Sequence, residues 1–185
     1  MKIFAVYLRL NLIQKPEWFD EFRSKYDEPL ELHVTLIQPR YIAEEKVDDI
    51  SASLATFLDK EKMSSINKMI SFDQLVYEQE HDGTYTLMLI AQMADELHNF
   101  QKKLRDTLRE FTEYVDKATI EYEKNFRPHI TIARNIHSTY LPEVLAHFQS
   151  DFLVKGVLTK LVLPIVKDTS VEERKNPSNQ QAFDL

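Results

Sequence analysis

Apolar positions along the chain follow two periods, and each period predicts a type of element. Residues 2–10 (KIFAVYLRL) read as a strand, as do 30–37, 68–80, 84–92, 127–133 and 157–167. Between these strands the apolar residues recur at helical spacing. Trp18, Phe22 and Tyr26 share one face of a helix predicted over 16–26, with Pro16 near its start. Val47, Ile50, Leu54, Phe57 and Leu58 line a helix over 44–58. The longest predicted helix covers 95–113, with a stripe of Leu97, Phe100, Leu104, Leu108 and Phe111. A short helix is predicted over 142–148. The stretch HDGT at 81–84 places Asp-Gly between two strands, which suits a tight hairpin turn. The stretch ERKNPSNQQ at 173–181 is polar, and the chain from 171 to 185 is predicted to be a mobile tail.

The two halves of the chain, 1–80 and 81–170, read alike as strand, helix, histidine-bearing strand, helix, strand. That order suggests an internal duplication within one α+β domain. A duplicated unit would bring equivalent residues together at a pseudo-twofold axis.

Composition narrows the function. The chain has 185 residues and 43 % hydrophobic content, enough for one sizeable core or two small lobes that share one. It has no cysteine, so disulfides, thiolate metal sites and a cysteine nucleophile are excluded. No signal peptide is visible in MKIFAVYLRLNLIQ, and no apolar run approaches the roughly 18 residues of a membrane span. A soluble, cytoplasmic monomer is expected, with no membrane partner. The net charge of −7 argues against a protein that grips long nucleic acid through many phosphates. A small anion in a local basic pocket remains open. With only Gly83 and Gly156, the chain has no Rossmann fingerprint and no P-loop.

The chemistry sits in two repeated stretches, LELHVTLIQ at 30–38 and NFRPHITIAR at 125–134. Each reads His, apolar, Thr, apolar. In a strand, residues i and i+2 share a face, so His33 and Thr35 point one way, as do His129 and Thr131. Val34, Leu36, Ile130 and Ile132 point the other way, into the core. Each stretch thus holds an imidazole and a hydroxyl on a rigid element. With 6 His and 11 Thr in the chain, chance gives such a flanked pair about 0.07 times and two of them with a probability of about 0.002. The competing interpretation, two core histidines each satisfied by a threonine, leaves the repetition unexplained.

These stretches resemble the motifs of the 2H phosphoesterases, relatives of bacterial 2′,5′ RNA ligase and of plant and yeast cyclic phosphodiesterases. FRPHITIAR is close to the second motif of the ligase-like branch. FRSKYDEPLELHVTL resembles the approach to the first motif in small bacterial members. The resemblance implies two lobes, each an antiparallel sheet with outer helices, around a central cleft. It implies a cyclic phosphate or phosphodiester substrate on a small nucleotide or RNA terminus, with no metal and no cofactor. It carries His33 and His129 over as the catalytic pair and Thr35 and Thr131 as hydroxyls on the phosphate.

The physical chemistry agrees with that implication. Opening a cyclic phosphodiester needs a base for water and an acid for the leaving ribose oxygen, and imidazole does either near neutrality. Threonine hydroxyls would hold the nonbridging oxygens. Arg134 lies five residues after His129, as a phosphate-contacting arginine does in the ligase-like branch. Strict alternation puts it on the opposite face, so it reaches the site only if the strand ends or bulges before it. The matching position in the first half is Gln38, followed by Pro39. Tyr7 on the first strand is either a stacking surface for a base or ordinary sheet packing. His81, His98, His137 and His147 fall in turns, helices or after the second motif, and no metal-binding spacing includes them. The leading expectation is a metal-independent phosphodiesterase. RNA end joining by the reverse reaction, or a module that binds a nucleotide without turnover, are the alternatives.

Overall fold

The computed structural model describes residues 1–26, 31–61, 67–92, 95–149 and 151–185. Leu30, placed above at the head of the first histidine strand, lies outside the described residues. The described elements are β1 (Lys2–Gln14), α1 (Phe19–Tyr26), β2 (His33–Ile42), α2 (Val47–Glu61), β3 (Met69–Gln79), β4 (Tyr85–Ala91), α3 (Asp95–Leu108), α4 (Lys117–Lys124), β5 (His129–Ile136), α5 (Leu141–Ala146), β6 (Val154–Val166), α6 (Val171–Lys175) and β7 (Gln180–Asp184). Every strand and helix predicted from periodicity is present, with shifted ends. The predicted hairpin forms at Gly83, whose φ of 83° is open to glycine at no steric cost. The Asp82 carboxylate accepts from the Thr84 N–H at 2.9 Å and closes the turn.

Alternation on the strands sets the core. Phe4, Val6, Leu8 and Leu10 on β1 are buried, and Ala5, Tyr7 and Arg9 between them are half-buried. Val34, Leu36, Ile130 and Ile132 are all buried, as alternation required. Helices cover this apolar face. Phe19 and Phe22 of α1, Ile50 and Leu54 of α2, Leu104 of α3 and Val144 of α5 all enter one cluster with the strand residues. Gly156 on β6 lets β1 come close: a Cβ there would sit 2.5 Å from Leu10 Cδ1 and 2.8 Å from the Asn11 carbonyl oxygen.

The strands form one seven-stranded sheet in the order β2-β1-β6-β3-β4-β5, with β7 paired to β6. The two expected sheets are joined into one continuous sheet. The reason is β6, which is 13 residues long. It pairs with β1 along most of its length, and its first residues, Val154 to Val157, also pair with β3. The order is palindromic: exchanging β1 with β4, β2 with β5 and β3 with β6 returns the same path. Each side thus takes its third strand from the other half of the sequence.

In a flat sheet the ends of this path would lie about 24 Å apart, five steps of the strand spacing. Instead β2 and β5 touch, so the path curls round on itself. The helices reinforce the closure across the halves: α1 packs on β5, and α3 and α4 pack on β2.

Two sequence expectations need correction. The predicted polar tail is ordered as α6, a 3-10 turn at Pro177–Asn179, and β7. Local polar chemistry does this: Ser170 caps α6 through the Glu173 N–H, and Asn176 caps the turn through the Ser178 N–H. Helix α4 was not predicted at all. Its one buried residue is Glu123, so it has no apolar stripe to detect.

Candidate active site

His33 opens β2 and His129 opens β5. Both side chains are half-buried on the face that the core does not use, together with Thr35 and Thr131. Each imidazole is held in the same way. His33 Nδ1 lies 2.7 Å from the Glu31 carbonyl oxygen, and His129 Nδ1 lies 2.9 Å from that of Arg127. A carbonyl only accepts, so Nδ1 carries the proton in both rings. Nε2 is then the nitrogen left to exchange a proton with anything in the site.

A bulge decides the position of Arg134. On β5, Ala133 pairs with Leu87 and Thr131 with Met88, so Ile132 is the extra residue. Ile132 and Ala133 are both buried, and Arg134 returns to the half-buried face of His129. Asn135 follows with φ 55°, a left-handed turn that asparagine tolerates. β2 has the same bulge: Ile37 pairs with Val6 and Thr35 with Tyr7, which leaves Leu36 as the extra residue. Gln38 is therefore the positional match of Arg134.

Burial and neighbouring charges act on both imidazoles. Burial pushes His33 below the ordinary imidazole range; the Glu31 carbonyl opposes this, and the charges of Arg134, His129 and Arg174 add to it. Burial also lowers His129. The Arg127 carbonyl and Glu78 oppose that shift, and Arg127 and Arg134 add to it. Arg134 thus acts on both imidazoles, and the imidazoles act on one another. Tyr7 packs its ring on His33 at 4.6 Å between centroids. Beside it Arg9 pairs with Glu31 at 2.6 Å. Among the described residues no group of three or more His, Cys, Asp or Glu could hold a metal ion.

Three participants were missed from the sequence: Tyr122, Arg174 and Arg9. Tyr122, on α4, sets its hydroxyl 2.9 Å from His129 Nδ1 and 3.2 Å from Nε2. One signal could have found it: Tyr122 precedes His129 by seven residues, as Tyr26 precedes His33.

Two histidine strands are related by a palindromic sheet, and each carries a threonine on the histidine's face. The chain matches the 2'-5' RNA ligase superfamily over residues 9–164, and it belongs to that family. Among solved structures it resembles Kluyveromyces marxianus Usb1, at 11 % identity and TM-score 0.50, over 99 % of this chain and 98 % of that one. The same protein with uridine monophosphate gives 10 % identity and TM-score 0.53 at the same coverage. E. coli LigT complexed with 3'-AMP is similar at 14 % identity and TM-score 0.46, over 100 % of this chain and 95 % of that one. No curated protein matches the sequence.

Proposed function

We propose that this protein hydrolyses a 2′,3′-cyclic phosphate or a 2′,5′-linked phosphodiester on a small nucleotide or RNA end, with His33 and His129 as the acid–base pair. The observation that carries the proposal is the matched contact of each Nδ1 with a backbone carbonyl oxygen. Both rings spend Nδ1–H on a backbone carbonyl and keep Nε2 for the reaction. One neutral Nε2 takes a proton from water as its oxygen attacks phosphorus. The other, protonated, gives its proton to the ribose oxygen as the P–O bond breaks. Burial keeps both imidazoles mainly neutral in the free protein, and an anionic phosphate between them favours protonating one. The hydroxyls of Thr35 and Thr131 and the Arg134 guanidinium would hold the nonbridging oxygens, where charge accumulates. A relative in fold has been solved with uridine monophosphate, which supports a nucleotide-sized ligand.

The test is turnover of 2′,3′-cyclic nucleotides, 2′,5′-linked dinucleotides and cyclic-phosphate RNA ends, with products resolved as 2′- or 3′-phosphates. His33→Ala and His129→Ala should each lower turnover by about 10²–10⁴-fold, the usual worth of general acid–base catalysis. Thr35→Val and Thr131→Val should cost less, because each removes one donor and keeps the shape. Melting temperatures should stay close to that of the parent. Binding of these ligands with no turnover would sink the proposal in favour of a binding module.

A further inference from the structure

Tyr122 and Tyr26 occupy equivalent places, each seven residues before a motif histidine and each at the end region of a helix. Their contacts differ. The Tyr26 hydroxyl turns outward to the Glu143 carboxylate at 3.1 Å, and its ring packs on Phe22. The Tyr122 ring instead stands edge-on to His129, at 85° and 5.9 Å between centroids, with its hydroxyl against both ring nitrogens. A pseudo-symmetric fold has thus placed one of two matched tyrosines at one histidine and withdrawn the other.

The proton count fixes what the hydroxyl can do. His129 Nδ1–H is given to the Arg127 carbonyl. The nitrogen left to accept from the Tyr122 O–H is Nε2, 3.2 Å away. Nε2 is also the nitrogen that must face the reacting oxygen. The Tyr122 hydroxyl is thus within hydrogen-bond distance of the nitrogen that must serve that oxygen. His129 and Tyr122 line one open groove with Met88 and Phe126, so there is room for such an oxygen.

We propose that Tyr122 is a third catalytic side chain, whose hydroxyl donates to the same substrate or water oxygen that His129 Nε2 serves. The proposal rests on the role assigned to His129 above. With the site empty, the O–H rests on Nε2. With substrate bound, it swings a short distance to the oxygen and steadies the charge that develops there. No proton leaves the tyrosine: burial, helped by Glu78 and opposed by Arg127, raises its hydroxyl to about 12, so it stays a donor across the working range. Around His129 the other titratable groups are Glu78 from β3, Arg127 just before β5, Arg134 from β5, His33 from β2, Glu121 and Lys124 from α4, and His98 across the groove from α3.

Tyr122→Phe keeps the ring and removes the donor. It should lower kcat by about 10²-fold, the worth of one such donor, with little change in KM. His129 should also titrate at higher pH, followed by NMR of its ring proton, because the lost bond favoured only the neutral imidazole. Tyr26→Phe should leave kcat and both titrations as in the parent. Unchanged kcat and titration in Tyr122→Phe would overturn the proposal. So would a lower kcat with an unmoved titration and a fallen melting temperature, which marks a structural role. An inactive parent protein would overturn the proposed function and the catalytic role together. The titration shift would then survive, which tells that failure apart from a misread tyrosine.

Discussion

At the scale of single residues, burial and neighbouring cations push both motif histidines the same way, toward the neutral form. A proposed mechanism that needs one imidazole protonated must therefore work against this environment. The expected consequence is a rate profile lying on the acid side. The pair titrates as a unit, and both macroscopic steps should fall below the ordinary imidazole value of about 6.5. kcat/KM should then already be declining as pH rises through about 6.5. Arg134 lowers both histidines, so Arg134→Gln should move both limbs of the profile to higher pH while KM rises. A profile that stays in place in Arg134→Gln, or moves to lower pH, would contradict the placement of this guanidinium. The position of His33, His129, Thr35 and Thr131 on one face was legible in the sequence because the period of two is strict at those residues. The side of the strand on which Arg134 falls was not. It depends on an extra residue at Ile132, and Ile132-Ala133 carries no glycine, proline or polar signal that would betray a bulge.

At the scale of elements, the helices that were legible are those held by apolar stripes, as α2 and α3 are. Helix α4 is held by charge. Glu123 bonds the buried Arg40 guanidinium on β2 and accepts from the Gln38 N–H at 3.1 Å, while Arg40 also donates to Thr112 at 3.2 Å. Both side chains are almost fully buried, at 6 % and 2 % exposure, so neither charge has water to fall back on. An element anchored this way leaves no hydrophobic period in its sequence, and the pattern of KATIEYEK accordingly predicts nothing. Tyr122, the neighbour of Glu123 on the same helix, contacts His129. Arg40→Met should lower stability by about 3–5 kcal/mol in chemical denaturation, because it strands a buried carboxylate. Glu123→Gln in the same background should restore much of that loss, since it removes the charge and keeps an acceptor for Gln38. A double variant no more stable than Arg40→Met alone would show that the loss came from packing and not from an unpaired charge.

At the scale of the whole molecule, the palindromic sheet builds the two histidines alike, and the additions that break the symmetry make them unlike. The C-terminal segment has no counterpart in the repeat. Its strand β7 pairs along β6 from Lys160 to Pro164, and its helix α6 brings the charge of Arg174 to bear on His33. This segment was illegible because a polar strand that docks through backbone hydrogen bonds looks the same in sequence as a solvated tail. On the other side, Glu78 of β3 holds its carboxylate toward His129 and favours its charged form. His33 thus meets the charges of Arg134 and Arg174 with no carboxylate among the described residues to offset them, whereas at His129 the charges of Arg127 and Arg134 are opposed by Glu78. The polarity has a sign that can be checked. Arg174 depresses His33, so Arg174→Ala should raise the pH at which His33 titrates and move His129 less. Glu78 supports the charged form of His129, so Glu78→Gln should lower the pH at which His129 titrates and move His33 less. Both titrations are read on the imidazole ring protons by NMR, with no substrate present. Equal shifts of the two histidines in either variant would mean that the site averages its charges. Opposite shifts, each confined mainly to its own histidine, would mean that the unpaired elements set which imidazole gives up its proton first.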